Sequence, residues 1–371
     1  MILPNKKYKI ALIGFSLGEG GGEKVMANLS VFFDKMGIEI HNIIVLDSVH
    51  YSYAGKLLNL GLLKNESNGF VNKYKRLLVL RKYLKLNNFD FIIDFRPRTK
   101  YIQELILAKF IYKTKTILTV HSYLIHYYIP KNTWLTKLIY NHVYATVVIV
   151  KEMETLIKSK YQLKNINIIA NPIHFLDIHQ KWNDALDIDF NYVIAIGQYE
   201  NNVKQFDQLI LAYSQSILPN NQIHLVILGK GDKAPYEKVA QDNNVLKFVH
   251  FQGFQQNPYP FLKRAKFLIL TSKNEGFANV LVEALACETP VVAFDCLCGP
   301  SEIIRHKENG LLVENQNLEK LTQAMNLFVE DETLYSYCKK NALQSIQGFS
   351  LDIIGQQWLD LMKIENTLNK N

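Results

Sequence analysis

One stretch of the chain constrains its fold more than any other. Residues 267–271 and residues 291–294 are apolar runs of strand length. Between them, apolar side chains recur at the spacing of an α-helix, and Pro290 ends that pattern. Two strands joined by a helix predict a parallel βαβ unit, because parallel strands need a long crossover connection.

Two glutamates occupy this unit, Glu275 in the predicted loop and Glu283 in the predicted helix. Gly276 lets the backbone turn sharply, and the N–H groups of residues 277–280 open a helix whose N-terminus attracts phosphate. Eight helical positions span at most about 12 Å. One carboxylate can therefore accept hydrogen bonds from a hexose and the other from a ribose, with a diphosphate between them. Spacing alone leaves open the alternative of a loop acid and a solvated helix residue.

The frame around the two glutamates resembles the E-x7-E motif of retaining GT-B glycosyltransferases of family 4 (glycosyl transferases group 1). Residues 289–293, 299–304 and 309–313 are similar to that family's downstream pattern in order and spacing. The resemblance implies an α/β fold with two Rossmann-like, doubly wound domains facing across a cleft, and a C-terminal helix that crosses back to the N-terminal domain. It also implies an enzyme that transfers a hexose or N-acetylhexosamine from a nucleotide sugar, UDP being the family's commonest nucleotide.

Length and charge fit two domains. A chain of 371 residues is too long for one ordinary core. The formal net charge of +8 is uneven, since residues 1–170 sum to +14 and residues 171–371 to −6. We therefore expect an N-terminal acceptor-binding domain of residues 1–170, completed by about residues 352–371, and a nucleotide-sugar-binding domain of residues 171–351. Pro172, in a segment that resembles the family's connection between domains, is the predicted hinge.

Composition argues against several classes of protein. Hydrophobic residues make up 48% and charged residues 20% of the chain, which is typical of a globular protein. No apolar run reaches the roughly 18 residues of a membrane span, and the N-terminus offers no signal peptide. Cys296 and Cys298 lack a second Cys or His pair at zinc-ligand spacing, so we expect four reduced thiols in a cytoplasmic protein and no metal site. No zinc-finger or RNP-type motif supports nucleic acid as a partner.

A glycine-rich segment follows the first predicted strand. Gly20, Gly21 and Gly22 let backbone N–H groups approach an anion closely, ahead of a helix predicted from about residue 25 to 36. The string is neither a Rossmann fingerprint nor a P-loop, because Glu23 stands at the third glycine position and no Gly-Lys-Ser/Thr is present. It resembles the Gly-Gly-x-Glu-(Arg/Lys) loop of family 4, which implies contact with the donor diphosphate or the acceptor.

His121 comes directly after the predicted strand at residues 117–120. A lone histidine is more often structural than catalytic, but this one follows the carboxyl end of a strand, where open parallel sheets bind ligands. Arg96 and Arg98 follow the strand at residues 91–95 in the same way. Family 4 enzymes place a histidine in a similar Val-His-Ser setting against the donor sugar, and the resemblance implies that catalytic role for His121.

The resemblance places the diphosphate contacts at the start of the second domain. The family follows its first strand there with Gly-Arg and then Lys-Gly, whose two cations hold the leaving diphosphate. This chain has Gln198 in place of the arginine and keeps the lysine as Lys204, while Phe254 stands where the family binds the nucleobase. The resemblance further implies that Glu275 orients the sugar and Glu283 holds the ribose, without a metal ion. The donor site would be completed by the residues that open the helix: Gly276, Phe277, Ala278, Asn279 and Val280.

Two segments of the basic half favour an anionic partner. Residues 72–86 predict a basic amphipathic helix, which suits either an anionic bilayer surface or packing on the sheet with a solvated basic face. Residues 123–144 interleave aromatic and basic side chains, which suits a membrane interface or an acceptor groove equally. We expect a lipid-linked or lipopolysaccharide-type acceptor in bacterial cell-envelope glycan synthesis, and peripheral contact with the inner face of the membrane through the basic half.

Two other functions stay open at this stage. A sugar-nucleotide 2-epimerase shares the GT-B architecture but needs no acceptor surface, so the uneven charge argues mildly against it. A catalytically inactive partner subunit is suggested by Gln198, whereas the presence of both Glu275 and Glu283 argues for a transferase.

The rest of the chain continues the alternation of strands and helices. Residues 174–190 are polar and predict a loop. Further strands are predicted at residues 8–14, 38–46, 146–150, 192–197, 223–228 and 248–251, and further helices at residues 319–328, 332–344 and after residue 350.

Overall fold

The structure is a computed structural model that describes residues 7–18, 20–66 and 69–365. The described residues divide into two compact units. Unit 1 contains the residues up to Pro172 and those from Leu351 onward, and unit 2 contains Ile173–Ser350. The charge pattern and the resemblance had placed these boundaries after residues 170 and 351.

Unit 1 is built on a seven-stranded parallel sheet. Its strands are Lys9–Gly14 (β1), Glu39–Ile44 (β2), Lys56–Asn59 (β3), Phe91–Asp94 (β4), Lys115–Val120 (β5), Ala145–Val148 (β6) and Ile166–Ile168 (β7). They lie in the order β3-β2-β1-β4-β5-β6-β7. The central strands are almost wholly buried, as expected where helices cover both faces of a parallel sheet.

The helices that follow these strands are Gly21–Lys35 (α1), Phe70–Asn87 (α2), Tyr101–Ile106 (α3), Thr133–Tyr140 (α4) and Lys151–Tyr161 (α5). α3 continues into a π-helical turn, Leu107–Ile111. α1 packs on one face of the sheet, whereas α2 and the π-helical turn pack on the other. Asn132 caps α4, because its side-chain oxygen accepts a hydrogen bond from the Leu135 N–H at 3.0 Å.

Unit 2 is built on a six-stranded parallel sheet. Its strands are Tyr192–Ile196 (β8), His224–Leu228 (β9), Val249–Gly253 (β10), Leu268–Leu270 (β11), Val291–Phe294 (β12) and Gly310–Val313 (β13). They lie in the order β10-β9-β8-β11-β12-β13. Its helices are Phe175–Lys181 (α6), Phe206–Ser214 (α7), Ala234–Asp242 (α8), Tyr259–Arg264 (α9), Asn279–Ala286 (α10), Pro300–Ile303 (α11), Leu318–Glu330 (α12) and Glu332–Ser345 (α13).

The last helix of the chain, Leu351–Met362 (α14), belongs to unit 1. It packs against α1, and its Trp358 is buried in the same hydrophobic cluster as Phe33. The predicted return of the terminal helix to the N-terminal domain is therefore confirmed. Residues 366–371, which the prediction included, lie outside the described residues, as do Glu19 of the glycine-rich segment and residues 1–6 of the predicted N-terminus.

Two predicted elements are wrong. α1 begins at Gly21 rather than near residue 25, because the Glu23 carboxylate folds back over Gly20 and the glycines are drawn into the first helical turn. Residues 174–190 are not one loop, since α6 occupies seven of them and packs on α9 and α10. The helical pattern there was too weak to recognise because Ile178 is its only buried residue.

Both sheets reverse their strand order at one point. In unit 1 the reversal lies between β1 and β4, and in unit 2 it lies between β8 and β11. Beyond the carboxyl ends of two such strands the connecting helices run to opposite faces, which opens a crevice where ligands bind in open α/β sheets. No helix in residues 7–18, 20–66 or 69–365 is long and apolar enough to cross a membrane.

Candidate active site

An ion pair lies at the reversal point of the unit 2 sheet. Lys204 follows β8 and Glu275 follows β11, and the Lys204 Nζ lies 2.6 Å from the Glu275 Oε1. Ser272 also donates its hydroxyl to the same carboxylate oxygen, at 2.5 Å. The fold thus joins two of the predicted catalytic residues, which are 71 positions apart in the chain.

Two hydrogen bonds join the loops that carry these side chains. The Thr271 hydroxyl donates to the Lys204 carbonyl at 2.7 Å, and the Lys273 N–H donates to the Val203 carbonyl at 2.9 Å. Gly197 lies under the lysine, since a Cβ there would stand 2.5 Å from the Lys204 Cγ. A side chain at this position would displace the Lys204 side chain, which explains why glycine follows β8 directly.

The Glu275 carboxylate is anchored through only one of its oxygens. Oε1 receives hydrogen bonds from Lys204 and Ser272, whereas no residue in the described part of the chain donates to Oε2. The Glu275 side chain is 13% exposed and the Lys204 side chain 21%, so both are sheltered but reachable. Oε2 is therefore positioned to accept a hydrogen bond from a ligand hydroxyl.

A buried thiol borders the pair but is unsuited to react. Burial raises the pKa of Cys296 to about 12, and the negative charge of Glu275 adds to the shift. The thiol stays protonated at neutral pH and is a poor nucleophile. Glu275 and Lys204 are therefore the reactive groups that this part of the site presents.

The loop before α10 is shaped by its neighbour after β12. The Glu275 N–H donates to the Leu297 carbonyl at 3.0 Å. Gly299, at φ +118°, passes so close to Phe277 that a Cβ on it would stand 2.9 Å from the Phe277 carbonyl carbon. Ala278 then caps α10 in the left-handed conformation, at φ 56°. These contacts set the direction in which the helix N-terminus points.

The residues predicted to open the donor site contribute mainly backbone. Phe277 and Ala278 are buried, and the Phe277 ring packs edge-on against Phe349 at 5.2 Å. Asn279 and Val280 form the first turn of α10, and the first N–H groups of a helix have no partners within the helix. Their side chains therefore hold the loop in place, while the backbone is what an anion can meet.

The remaining predicted donor residues of unit 2 lie at the same edge of the sheet. Gly276 and Glu283 are half-buried, the latter in the second turn of α10. Gln198 is exposed directly after β8, and Phe254 is 54% exposed directly after β10. Within the described structure, neither of these two side chains hydrogen bonds to the Lys204–Glu275 pair.

In unit 1, the glycine-rich segment and His121 come together. A Cβ on Gly22 would stand 3.8 to 3.9 Å from atoms of the His121 side chain. The imidazole stacks on Phe95, with ring centroids 5.6 Å apart and planes 27° apart. Gly20 caps α1 and Gly21 begins it, so Gly22 places the histidine beside the N-terminus of this helix.

His121 is held in its neutral form. Burial and, to a smaller extent, the positive charge of Arg98 lower its pKa to about 4, although the side chain of Asn171 opposes the shift. Both ring nitrogens are shielded from water. At neutral pH the imidazole is therefore uncharged, with one nitrogen able to donate and the other able to accept a hydrogen bond.

The shifted pKa predicts an acid sensitivity of unit 1. Between pH 6.5 and about 4 the unfolded chain protonates His121 whereas the folded chain does not, so stability is expected to fall as the pH drops through this window. The loss amounts to about 3 kcal/mol. Hydrogen exchange in β5 measures it, and His121→Phe, which keeps the ring stack, is expected to lack this part of the loss. A variant with the same acid profile as the parent would contradict the assignment.

Two arginines that the sequence placed at the ligand edge are instead buried inside unit 1. Arg96 forms ion pairs with Asp94 at 2.6 Å and with Glu104 at 3.1 Å. The Arg98 side chain is 1% exposed. The predicted position of both guanidinium groups at the ligand-binding edge is therefore wrong. Both are buried and hydrogen bond to groups inside unit 1 instead.

Arg98 fastens together the ends of two strands. Its guanidinium donates to the Tyr140 hydroxyl at 2.9 Å, to the Asp94 carbonyl at 3.2 Å, to the Arg96 carbonyl at 3.0 Å and to the Thr119 carbonyl. Asp94 is the last residue of β4. Thr119 lies near the end of β5, two residues before His121. Arg98 is thus a structural support for the segment that carries the histidine.

The aromatic segment at residues 123–144 is only partly a surface. Tyr128 and Tyr140 are buried around Arg98, whose Cζ lies 5.4 and 5.8 Å from their ring centroids. Tyr127 and Trp134 are exposed, at 45% and 70%. Tyr128 and Tyr140, two of the six aromatic rings of this segment, are therefore withdrawn from the predicted membrane interface or acceptor groove, because the buried cation draws them inward.

Ser272 and Arg98 are functional supports that the sequence did not reveal as such. Ser272 stands three residues before Glu275 in a predicted polar turn, and that spacing was the only local signal of their contact. Arg98 contacts Tyr140 across 42 positions, a relation that no local pattern encodes.

Comparisons with known proteins extend these observations. Residues 179–345 match the model of the family described as "Glycosyl transferases group 1". The chain is 27% identical to N-acetylgalactosamine-N,N'-diacetylbacillosaminyl-diphospho-undecaprenol 4-alpha-N-acetylgalactosaminyltransferase of Campylobacter jejuni, over 92% of this chain and 95% of the relative. It is 31% identical to the lipopolysaccharide core biosynthesis glycosyltransferase LpsE of Rhizobium meliloti, over 47% of this chain and 50% of the relative.

Solved structures share the fold. The crystal structure of Anabaena HepE in complex with UDP-glucose matches with a TM-score of 0.76, covering 96% of this chain and 99% of that chain at 18% sequence identity. At this level of identity the similarity shows a common fold and carries no assignment of individual residues.

Proposed function

Residues 179–345 belong to the glycosyl transferases group 1 family and the chain is a glycosyltransferase of GT-B fold, and on that premise we propose a donor, a stereochemical course and an acceptor. The enzyme transfers a hexose or N-acetylhexosamine from a UDP-linked sugar, with retention of configuration, to a glycan or lipid-linked acceptor of the bacterial cell envelope. The observation that carries this proposal is the Lys204–Glu275 pair at the reversal point of the unit 2 sheet.

Lys204 and α10 would stabilise the leaving diphosphate. An ammonium group has three N–H donors, and Glu275 Oε1 engages one of them in the structure. The remaining donors and the N–H groups at the start of α10 can meet the charge that develops on the diphosphate as the glycosidic bond breaks. In this proposal no metal ion is needed to balance that charge.

The two glutamates would bind the two sugars of the donor. Glu275 offers Oε2 to a hydroxyl of the transferred sugar, and Glu283 on α10 accepts from the ribose. Phe254, exposed after β10, would contact the nucleobase, and Gln198 would offer an uncharged amide to the diphosphate. For unit 1, the family resemblance supports the proposal that neutral His121 hydrogen bonds to the transferred sugar and that the segment around Gly20–Gly22 meets the diphosphate or the acceptor.

The nature of the acceptor is supported by charge and by the relatives. The N-terminal half carries +14, which favours an anionic acceptor. The Campylobacter jejuni relative is named for transfer to a diphospho-undecaprenol-linked sugar. We therefore favour an acceptor with a polyprenyl diphosphate or a comparable anionic lipid anchor, N-acetylgalactosamine as the first sugar to test, and peripheral contact of the basic half with the inner face of the membrane.

The proposal is tested by slow hydrolysis of nucleotide sugars without acceptor, followed by NMR. Among UDP-, GDP- and ADP-sugars, we expect release of an α-sugar from a UDP-sugar, because the retained anomer is the first product of a retaining transfer to water. Glu275→Ala is expected to lose this activity, which controls for contaminating hydrolases.

Two outcomes would favour the other functions. Formation of a 2-epimer would show a sugar-nucleotide epimerase. Failure to release any sugar, with no binding of any nucleotide, would favour an inactive partner subunit, in which exposed Gln198 leaves the diphosphate with one cation too few.

A further inference from the structure

The outward side of α2 is an unusually apolar surface. The helix rests on the sheet through Leu80 and Leu84, which are buried, and Leu77 packs beside them. Six further apolar side chains of the helix face solvent, with exposures of 84% for Phe70, 66% for Val71, 53% for Tyr74, 43% for Leu78, 38% for Val79 and 69% for Leu86. Clusters of exposed apolar side chains of this kind mark interaction sites on soluble proteins.

Cations alternate with these apolar side chains. Phe70–Asn87 contains six Lys or Arg and no Asp or Glu. Arg76 reaches back to the Val45 carbonyl at 3.4 Å. The other five are exposed, and none forms an ion pair with any residue the structure describes: Lys73, Lys75, Arg81, Lys82 and Lys85.

Helical geometry gathers both kinds of side chain on one side. Val71, Lys75, Leu78 and Lys82 follow each other at steps of four, three and four residues, so they form one stripe along the helix. This stripe lies opposite Leu80, because two residues separated by two positions point in directions about 200° apart. The surface is therefore mixed apolar and basic along its whole length, with no acidic side chain from the helix itself.

The loop before α2 extends the apolar end of this surface. Leu62 and Leu63 are 69% and 46% exposed. The Asn72 side chain donates to the Leu63 carbonyl at 2.8 Å, which fastens this loop to the first turn of α2. Leu62 and Leu63, together with the exposed side chains of α2, form what we call the docking face.

We propose that the docking face binds the surface of an anionic lipid bilayer. Its apolar side chains would enter the boundary between headgroups and acyl chains, and its lysines and arginines would contact lipid phosphates. A protein partner fits less well, because lysine is depleted in the cores of protein interfaces, where five uncompensated cations would be costly to desolvate. The inference rests on the proposed function in one respect, that a lipid-linked acceptor is met at a membrane.

The test is flotation of the full chain with vesicles of phosphatidylcholine, with and without phosphatidylglycerol. The parent protein is expected to bind only the anionic vesicles. The double variant Phe70→Ser with Val71→Ser is expected to bind them at least tenfold more weakly, because it removes two inserting side chains. The double variant Lys75→Gln with Lys82→Gln is expected to bind the anionic vesicles about fivefold more weakly for each lysine removed.

A matched control removes exposed apolar side chains from unit 2. Leu246 and Tyr337 are 43% and 54% exposed there, so Leu246→Ser with Tyr337→Ser is expected to leave vesicle binding unchanged. Hydrolysis of the nucleotide sugar is expected to be the same in all of these variants, because none of the substitutions touches the candidate active site. Vesicle binding thus tests the docking face, whereas hydrolysis tests the proposed function separately.

Three results would overturn the inference. The parent could fail to bind anionic vesicles, or the Phe70/Val71 variant could bind them as tightly as the parent does. A concentration-dependent dimer that dissociates in the Phe70/Val71 variant, without vesicle binding, would show instead that this surface joins two copies of the chain.

Discussion

Replacing Glu275 with glutamine is expected to lower kcat by about a hundredfold or more, while the Kd for UDP changes less than about threefold. The glutamine keeps the shape of the side chain but loses the charge that Lys204 and Ser272 hold through Oε1. A neutral amide accepts a sugar hydroxyl hydrogen bond more weakly as positive charge develops on the transferred sugar, so the loss falls on the transition state. Steady-state kinetics and calorimetric UDP binding measure the two quantities.

A second lysine–glutamate pair in unit 2 provides the control. Lys263 and Glu288 lie 2.5 Å apart but are 29% and 43% exposed, away from the reversal point of the sheet. Glu288→Gln removes the same charge from a similar contact and is expected to leave kcat and UDP binding unchanged, because exposed pairs contribute little. Equal losses of turnover and of UDP affinity in Glu275→Gln would instead assign Glu275 to general binding of the donor.

Replacing Arg98 with methionine is expected to destabilise unit 1 by about 4 kcal/mol or more. The substitution takes the Arg98 donor from the buried Tyr140 hydroxyl and from the Arg96 and Thr119 carbonyls, and each such loss costs about 1 to 3 kcal/mol. The Asp94 carbonyl also loses Arg98 but keeps a hydrogen bond from the Thr119 hydroxyl at 3.1 Å. For a unit of this size, 4 kcal/mol corresponds to a fall in Tm of about 10 °C. Thermal unfolding measures the shift, and hydrogen exchange is expected to place it in β4 and β5 rather than in β8 and β9.

Two further variants define the origin of this loss. Tyr140→Phe removes one of the four acceptors of Arg98 and also the hydroxyl that donates to the Tyr128 carbonyl at 2.7 Å, so it is expected to cost about 2 kcal/mol, less than Arg98→Met. Arg81→Met makes the same substitution on the exposed side of α2 and is expected to leave Tm unchanged. If Arg98→Met were as stable as Arg81→Met, the hydrogen bonds of the buried guanidinium would not support the strand ends.

Elements with strong periodicity and clear ends were predictable from the sequence. β12 occupies its predicted residues 291–294, and α13 begins at the predicted residue 332, where Asp331 caps the helix. The parallel sheets and the GT-B fold, expected from the resemblance, are confirmed by the strand orders and by the solved structures. α6 was missed because short helices with a single buried residue carry almost no hydrophobic pattern.

The site was predictable as a set of residues but not as a set of contacts. The resemblance pointed to Lys204 and Glu275 separately and assigned one to the diphosphate and the other to the sugar. Their pairing, and the role of Ser272 in fixing Oε1, depend on how β8 and β11 lie side by side. Arg98 was misjudged for the same reason, because the sequence shows that it follows a strand but not that Tyr140 and Thr119 enclose it.

The position of α14 bears on the order in which a ribosome can build this molecule. Residues 173–350 emerge as one continuous piece, so unit 2 has all of its sequence before α14 is synthesised. The first segment of unit 1 precedes unit 2, but its cluster around Phe33 lacks Trp358 until α14 leaves the exit tunnel. The nascent chain must therefore carry an open apolar groove on α1 throughout the translation of unit 2. Chaperone dependence is expected to be concentrated in unit 1, whose two segments are separated in the chain by the whole of unit 2.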